Sequence, residues 1–335
     1  MGAFGQDAQS VAGGASSPAN VVVGRCWDNM VLDAGVEAVE EGHLAAGTAL
    51  LRESRNNPEL RALYVDALSS AAVGRSAQIH ALLSPDTEEH DAADILLWLG
   101  RTLIDEAWRI RGDGVASTVS RERFKLFFAT LAQARDPLLA AAEINPDDPV
   151  PWSCLQWFAL GMQLDREEKD YIWQRVIERC PTLFPAHWAR IQVLAPKWGG
   201  NIEEMMEFAR GSVDLAPEGN PLTAMIALAH EERFSQCIRD LAHRKRFLSA
   251  LRVFLTYYDE DVTAELQAAA AKWCTRPVPH PRDLEAHHLF GWSFYQTSAR
   301  DHARWHLYQV GNRLHRAMWR TPEEFVRVLR KLGLA

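Results

Sequence analysis

The stretch EINPDDPVPW, residues 143–152, returns as ERCPTLFPAHW at 178–188 and as DLAPEGNPLTA at 214–224. Pro146, Pro181 and Pro217 are spaced by 35 and 36 residues, and Pro149, Pro185 and Pro221 by 36 and 36. Trp152 and Trp188 each stand three residues after a proline of the second set. A proline stops an incoming helix because it lacks an amide and clashes with the preceding turn, yet it suits the first turn of the next one. Each segment therefore closes one helix, turns, and opens another.

The flanking sequence carries helix signals almost throughout. Phe124, Phe127, Phe128 and Leu131 fall at i, i+3, i+4 and i+7 and line one side of a helix. Asn57-Pro58, Asp165 with Glu168, and Asn201 with Glu204 are helix starts, each with a side-chain oxygen for otherwise unpaired amides. Near the C-terminus, Thr321 is a cap, Pro322 a first helical residue and Glu324 the partner of a capping box. Phe325, Val328, Leu329 and Leu332 follow as its apolar stripe, and Arg330, Lys331 and Gly333 suit its end. The one clear β-branched run, Val21-Val22-Val23, is too short to found a sheet. The fold class expected is all-α.

A unit of 35 or 36 residues with two helices is the period of a helical-hairpin solenoid. The pattern resembles the tetratricopeptide repeat family. Phe290-Gly291, Phe294 and Ala303 reproduce the family's order of large residue, glycine, aromatic and small alanine. The middle repeats depart from it, since Pro196 interrupts a first helix and PKWGGN, residues 196–201, makes a glycine-rich bend. The resemblance spans residues 140–312 and implies an α-solenoid of degenerate tetratricopeptide-like hairpins. The runs WLGRTLIDEAWRIRG, residues 98–112, and LAPKWGGNIEEMMEFAR, residues 194–210, are similar to those of uncharacterised bacterial helical-repeat proteins, which carry no known activity with them.

The organisation expected is a disordered tail at 1–24, N-terminal hairpins at 25–113 and a repeat region at 114–335, with Asp113-Gly114 as the boundary. Residues 1–20, rich in Gly, Ala and Ser, lack the basic and apolar regions of a secretory leader. Five widely spaced cysteines with no CxxC pair argue against a disulfide framework, so a cytoplasmic protein is expected. No apolar run reaches the roughly 18 residues that a bilayer span needs, and no membrane association is expected.

The 335 residues carry 36 Lys+Arg against 44 Asp+Glu, a formal charge of −8 that disfavours nucleic acid as a partner. The charge is uneven. Residues 239–335 hold 16 basic and 10 acidic side chains, net +6, which leaves −14 for the rest. A partner with an acidic patch is steered toward the C-terminal part.

Motifs for chemistry are sparse. There is no GxSxG elbow, and Gly13-Gly14 and Gly199-Gly200 lack the lysine and spacing of a phosphate loop. His302 and His306 share a helix face four residues apart, with His287 and His288 on the preceding helix, but no HExxH accompanies them. The acidic run Tyr257-Tyr258-Asp259-Glu260-Asp261, with Glu265 beyond, lacks the second downstream motif that magnesium-diphosphate chemistry requires, and Asp147-Asp148 reads as turn chemistry. Neither a metal nor a cofactor is expected. Of the twelve tryptophans, Trp98, Trp108, Trp152, Trp173 and Trp188 read as packing between hairpins.

With Gly291 in the glycine position of the repeat, the resemblance places Glu285, His288, Trp292 and Tyr295 on the hollow side, the family's usual ligand surface. The function expected is an interaction module that holds a protein or peptide partner in a concave groove. The alternative is an enzyme, or a small-molecule site, in the same hollow, built around His288 and Tyr295.

Overall fold

In a computed structural model of the chain, which describes residues 20–112, 120–297 and 299–335, the proline pairs sit where helices meet. Pro146, Pro181 and Pro217 follow the ends of α7 (Arg135–Ile144), α9 (Arg166–Ile177) and α11 (Ile202–Leu215). Pro149 is the cap of α8 (Val150–Gly161), Pro185 is the second residue of α10 (Phe184–Leu194), and Pro221 starts a 3-10 turn (Pro221–Ala224) that runs into α12 (Met225–His243). Two helices thus separate successive proline pairs. The regular secondary structure of the described residues is helical apart from two residues in each of two strands.

Contacts divide the chain into two units, one of residues 29–193 and one of residues 1–28 with 194–335. The division falls at 193/194, whereas the boundary read from the sequence, Asp113-Gly114, lies outside the described residues.

The first unit begins with α1 (Met30–Glu40), α2 (Leu44–Ser54), α3 (Pro58–Ala71) and the short α4 (Ser76–His80), and is organised around α5 (Glu89–Arg111). Asn57 caps α3 by accepting from the Leu60 amide, and Asp165 caps α9 by accepting from Glu168. α6 (Arg121–Ala132) buries Phe127 and Leu131, and α5 also packs against α7 and α8. α5 buries Leu97, Trp98, Ile104 and Ala107, so its long apolar face contributes to the core that it shares with the helices packed on it. Trp98 and Trp152 are buried; Trp108, Trp173 and Trp188 are half-buried.

Charges are buried in this unit as pairs. The Arg61 guanidinium, 3% exposed, lies 2.7 Å from Asp94 and 2.6 Å from Asp148, and it also donates to the Leu51 carbonyl. Arg55 reaches Asp94 and Asp91, and the more exposed Arg52 joins at Asp91. Asp148 also accepts from the Val150 amide at the start of α8, so the turn residue read from the sequence has a second task. Arg101 sits between Asp66 and Asp105, and burial pushes the Asp105 carboxyl up to about 6 against the pull of Arg101.

The second unit contains the remaining helices: α13 (Phe247–Thr256), α14 (Glu260–Cys274), α15 (Asp283–Gln296), α16 (Arg300–Val310) and α17 (Pro322–Lys331), together with α11 and α12. Pro196 opens a 3-10 turn that ends at Gly199, whose φ of +85° suits a residue without Cβ. Asn201 then caps α11. β1 (Val22–Val23) pairs in parallel with β2 (Arg313–Leu314), Val22 opposite Arg313. Residues 20–24, which the sequence assigns to the tail, thus include a strand. Helices α15 and α16 approach closely: a Cβ on Gly291 would lie 2.6 Å from Leu307 Cδ2, while Phe290, Phe294 and Ala303 are fully buried around it. Thr321 caps α17, and the Glu324 carboxylate answers by accepting from the Arg320 amide.

Removing the cation from a buried cluster leaves carboxylates without a counter-charge. Arg61→Met should therefore destabilise the protein by about 3–5 kcal/mol, whereas Arg52→Ala, at the solvent-screened edge, should leave stability nearly unchanged. Urea denaturation followed by tryptophan fluorescence measures both.

Candidate functional site

α15 carries all four residues that the sequence points to, and the second unit treats them differently. Glu285 and His288 are buried, while Trp292 and Tyr295 are half-buried. Glu285 pairs with Arg282 at 2.5 Å and lies 4.0 Å from His315. His288 is fully closed off. Its Nε2 is 2.7 Å from the Arg313 carbonyl and its Nδ1 is 2.9 Å from Trp319 Nε1. Indole can only donate, so Nδ1 accepts and Nε2 carries the proton. The ring is neutral, and burial pushes it down to about 3. Both nitrogens are used in joining α15 to the strand β2 and to the segment before α17.

A second histidine group lies on the other side of α15. His287 Nδ1 and His306 Nδ1 are 2.9 Å apart, and Trp273, Phe290 and Phe294 surround them. Two imidazoles at this distance share one proton donor, so at least one ring is neutral. Burial pushes His287 down to about 3 and His306 well below its usual value. His302, at the near end of α16, packs on Phe294. Among the described residues, no three His, Cys, Asp or Glu side chains are disposed to hold a metal ion.

The acidic run after α13 is also accounted for. Asp259 caps α14 by accepting from the Val262 amide, and Glu265 takes Arg210 at 2.7 Å and His230 Nε2 at 2.9 Å. His230 Nδ1 lies 3.1 Å from the Tyr257 hydroxyl. The sequence of Tyr257, His230, Glu265 and Arg210 resembles a proton relay in connectivity, but burial raises Tyr257 well above the usual phenol and lowers His230. Burial alone would raise Glu265; hydrogen bonds from Arg210 and His230 hold it below the usual carboxylate instead. A protonated phenol, a neutral imidazole and a paired carboxylate tie α11, α12 and α14 together. Tyr258 beside them stands edge-on to Trp292 at 6.0 Å.

Arg300, Asp301, Arg304, Lys331 and Leu332 line an open groove of about 420 Å³. α16 contributes the first three and the end of α17 the others. The Arg300 guanidinium also lies 4.5 Å from the centre of the Tyr295 ring, which brings one of the four α15 residues to the groove's edge. Three cations face one carboxylate there, and among the described residues neither Arg304 nor Lys331 is held in an ion pair. The groove was only partly visible in the sequence. Lys331 fits a helix end and Arg304 sits between two histidines; the signal that could have joined them is the net positive charge of residues 239–335.

No family model, curated protein or solved structure matches the chain. No helix among the described residues is long and apolar enough to cross a membrane.

The buried histidines set a pH dependence. A ring that titrates near 6.5 when unfolded and near 3 when folded gives stability that is complete above about pH 6.5 and lost as pH falls toward 3. Equilibrium unfolding at several pH values should show a steep decline below pH 6.5. In His288→Gln the baseline should be lower but the decline shallower, by up to one proton per molecule. An unchanged slope would mean that His288 is not protonated on unfolding.

Proposed function

We propose that this chain is an interaction module, an array of degenerate tetratricopeptide-like hairpins, that holds an acidic segment of a protein or peptide partner in the groove between α16 and α17. The excess of cations over carboxylates around that groove carries the reading. Arg300, Arg304 and Lys331 are exposed side chains on two helices, so their charges add at one place without the cost of burial. Arginine offers a planar fork that matches carboxylates in pairs, and Leu332 gives the groove an apolar base for a neighbouring side chain. Tyr295, stacked under Arg300, fixes that guanidinium in place and so shares in recognition.

Several features support the module reading over an enzymatic one. Helix pairs recur between proline pairs at a constant period, as a hairpin array requires. A base at His288 would need a nitrogen that can reach substrate, and both are committed inside the second unit. Trp292 lies against Tyr258 and is half-buried, which makes it a wall of the fold with one accessible edge.

Fluorescence anisotropy with a labelled Glu/Asp-rich peptide tests the reading, with a Lys-rich peptide of equal length as control. The acidic peptide should bind, weaken as salt is raised, and lose roughly tenfold or more in affinity with Arg304→Glu and Lys331→Glu combined. Equal binding of the two peptides, or no effect of the charge reversal, would overturn it.

A further inference from the structure

Helix α13 buries none of its residues. Phe247, Leu248, Leu251, Phe254 and Leu255 are 70, 85, 54, 59 and 72% exposed, an unusual display for five large apolar side chains in ten residues. At 3.6 residues per turn they fall within an arc of about 120°, while Ala250, Val253 and Tyr257 lie on another side. Those three are only partly accessible, and Tyr257 is held by His230, so the helix is seated on the unit by one face and presents the apolar stripe outward.

The two ends of the stripe carry opposite charges. Arg244, Lys245 and Arg246 precede it and Asp259, Glu260 and Asp261 follow it, all exposed. We propose that this stripe is the contact surface for a second copy of the same chain, packed antiparallel across a two-fold axis. The midpoint between the basic and acidic runs falls at residues 252 and 253, inside the stripe. A two-fold axis close to it, at Leu251, sets Leu251 against its own copy and Leu248 against Phe254 of the other copy, and places each basic run beside the opposite acidic run. An isologous contact needs such a self-complementary patch; the apolar stripe is symmetric about Leu251, with Phe247 matching Leu255 and Leu248 matching Phe254, and the charged runs are symmetric about a point only about 2 Å further along the helix.

A lipid surface fits less well. Anionic headgroups would attract the basic end but repel Asp259, Glu260 and Asp261 at the other, so that the stripe could not lie flat. A wholly acidic partner meets the same objection. A second copy supplies both signs in the required order.

Sedimentation velocity and light scattering on the full chain test this directly. A species of twice the monomer mass is expected, and Leu251→Asp with Phe254→Asp should give a monomer that keeps its far-ultraviolet circular dichroism, because both side chains are more than half exposed within one copy. Reversal of the basic run, Arg244→Glu, Lys245→Glu and Arg246→Glu, should weaken the dimer roughly tenfold or more. Adding Glu260→Lys and Asp261→Lys to the same chain should restore it, a rescue that unspecific apolar association would not show. The proposal is overturned by a monomer at every attainable concentration, by a dimer indifferent to Leu251→Asp and Phe254→Asp, or by a monomer that floats with vesicles of anionic phospholipid.

Discussion

The close approach of α15 and α16 at Gly291 governs the second unit's arrangement. With no side chain at that position, Leu307 can lie against the backbone of α15, and Phe290 and Phe294 then fill the space alongside. Dense packing of this kind fixes the rotation of each helix about its axis. That rotation sends His287 toward His306, His288 toward Trp319, and Tyr295 toward Arg300. The groove inherits its cations from the same setting, since Arg300 and Arg304 stand one turn apart on the helix that Gly291 admits.

Several of the buried charges and imidazoles in both units are paired with a specific neighbour that is distant in sequence. Arg61 meets Asp148 across 87 positions, and His288 meets Trp319 across 31. Such pairs contribute less to net stability than their short distances suggest, because desolvation offsets most of the attraction. Their larger effect is on uniqueness. A helix rotated by a third of a turn would leave these groups unpaired in a low-dielectric interior, so alternatives are penalised more than the native state is rewarded.

Helix starts and ends were legible in the sequence because they depend on one or two local residues. Asn57, Asp165, Asn201 and Thr321 each cap a helix with their own side-chain oxygen, and the proline pairs fall between helices. The candidate site was much less legible. His288 looks like a surface ligand when only its helical position is counted; its burial comes from Arg313, Trp319 and Phe325, 25 or more residues away. Tyr257 and Glu265 read as a run of carboxylate chemistry, yet a histidine from α12 lies between them. Side-chain partners brought together by tertiary packing have no local signature, and neither does the groove, whose lining comes from two helices some thirty residues apart.

The strand pair near the chain's beginning bears on synthesis. Val22 and Val23 reach their ladder partners only when Arg313 and Leu314 exist, so a nascent chain holds an unfinished edge until those residues have emerged. The helices of residues 29–193 are all available long before, and domains generally fold as units in the order of their emergence. The unit that joins residues 20–28 to residues 194–335 thus closes after the other, and a ribosome stalled before codon 313 would release a chain with residues 29–193 organised and the second unit without its seam.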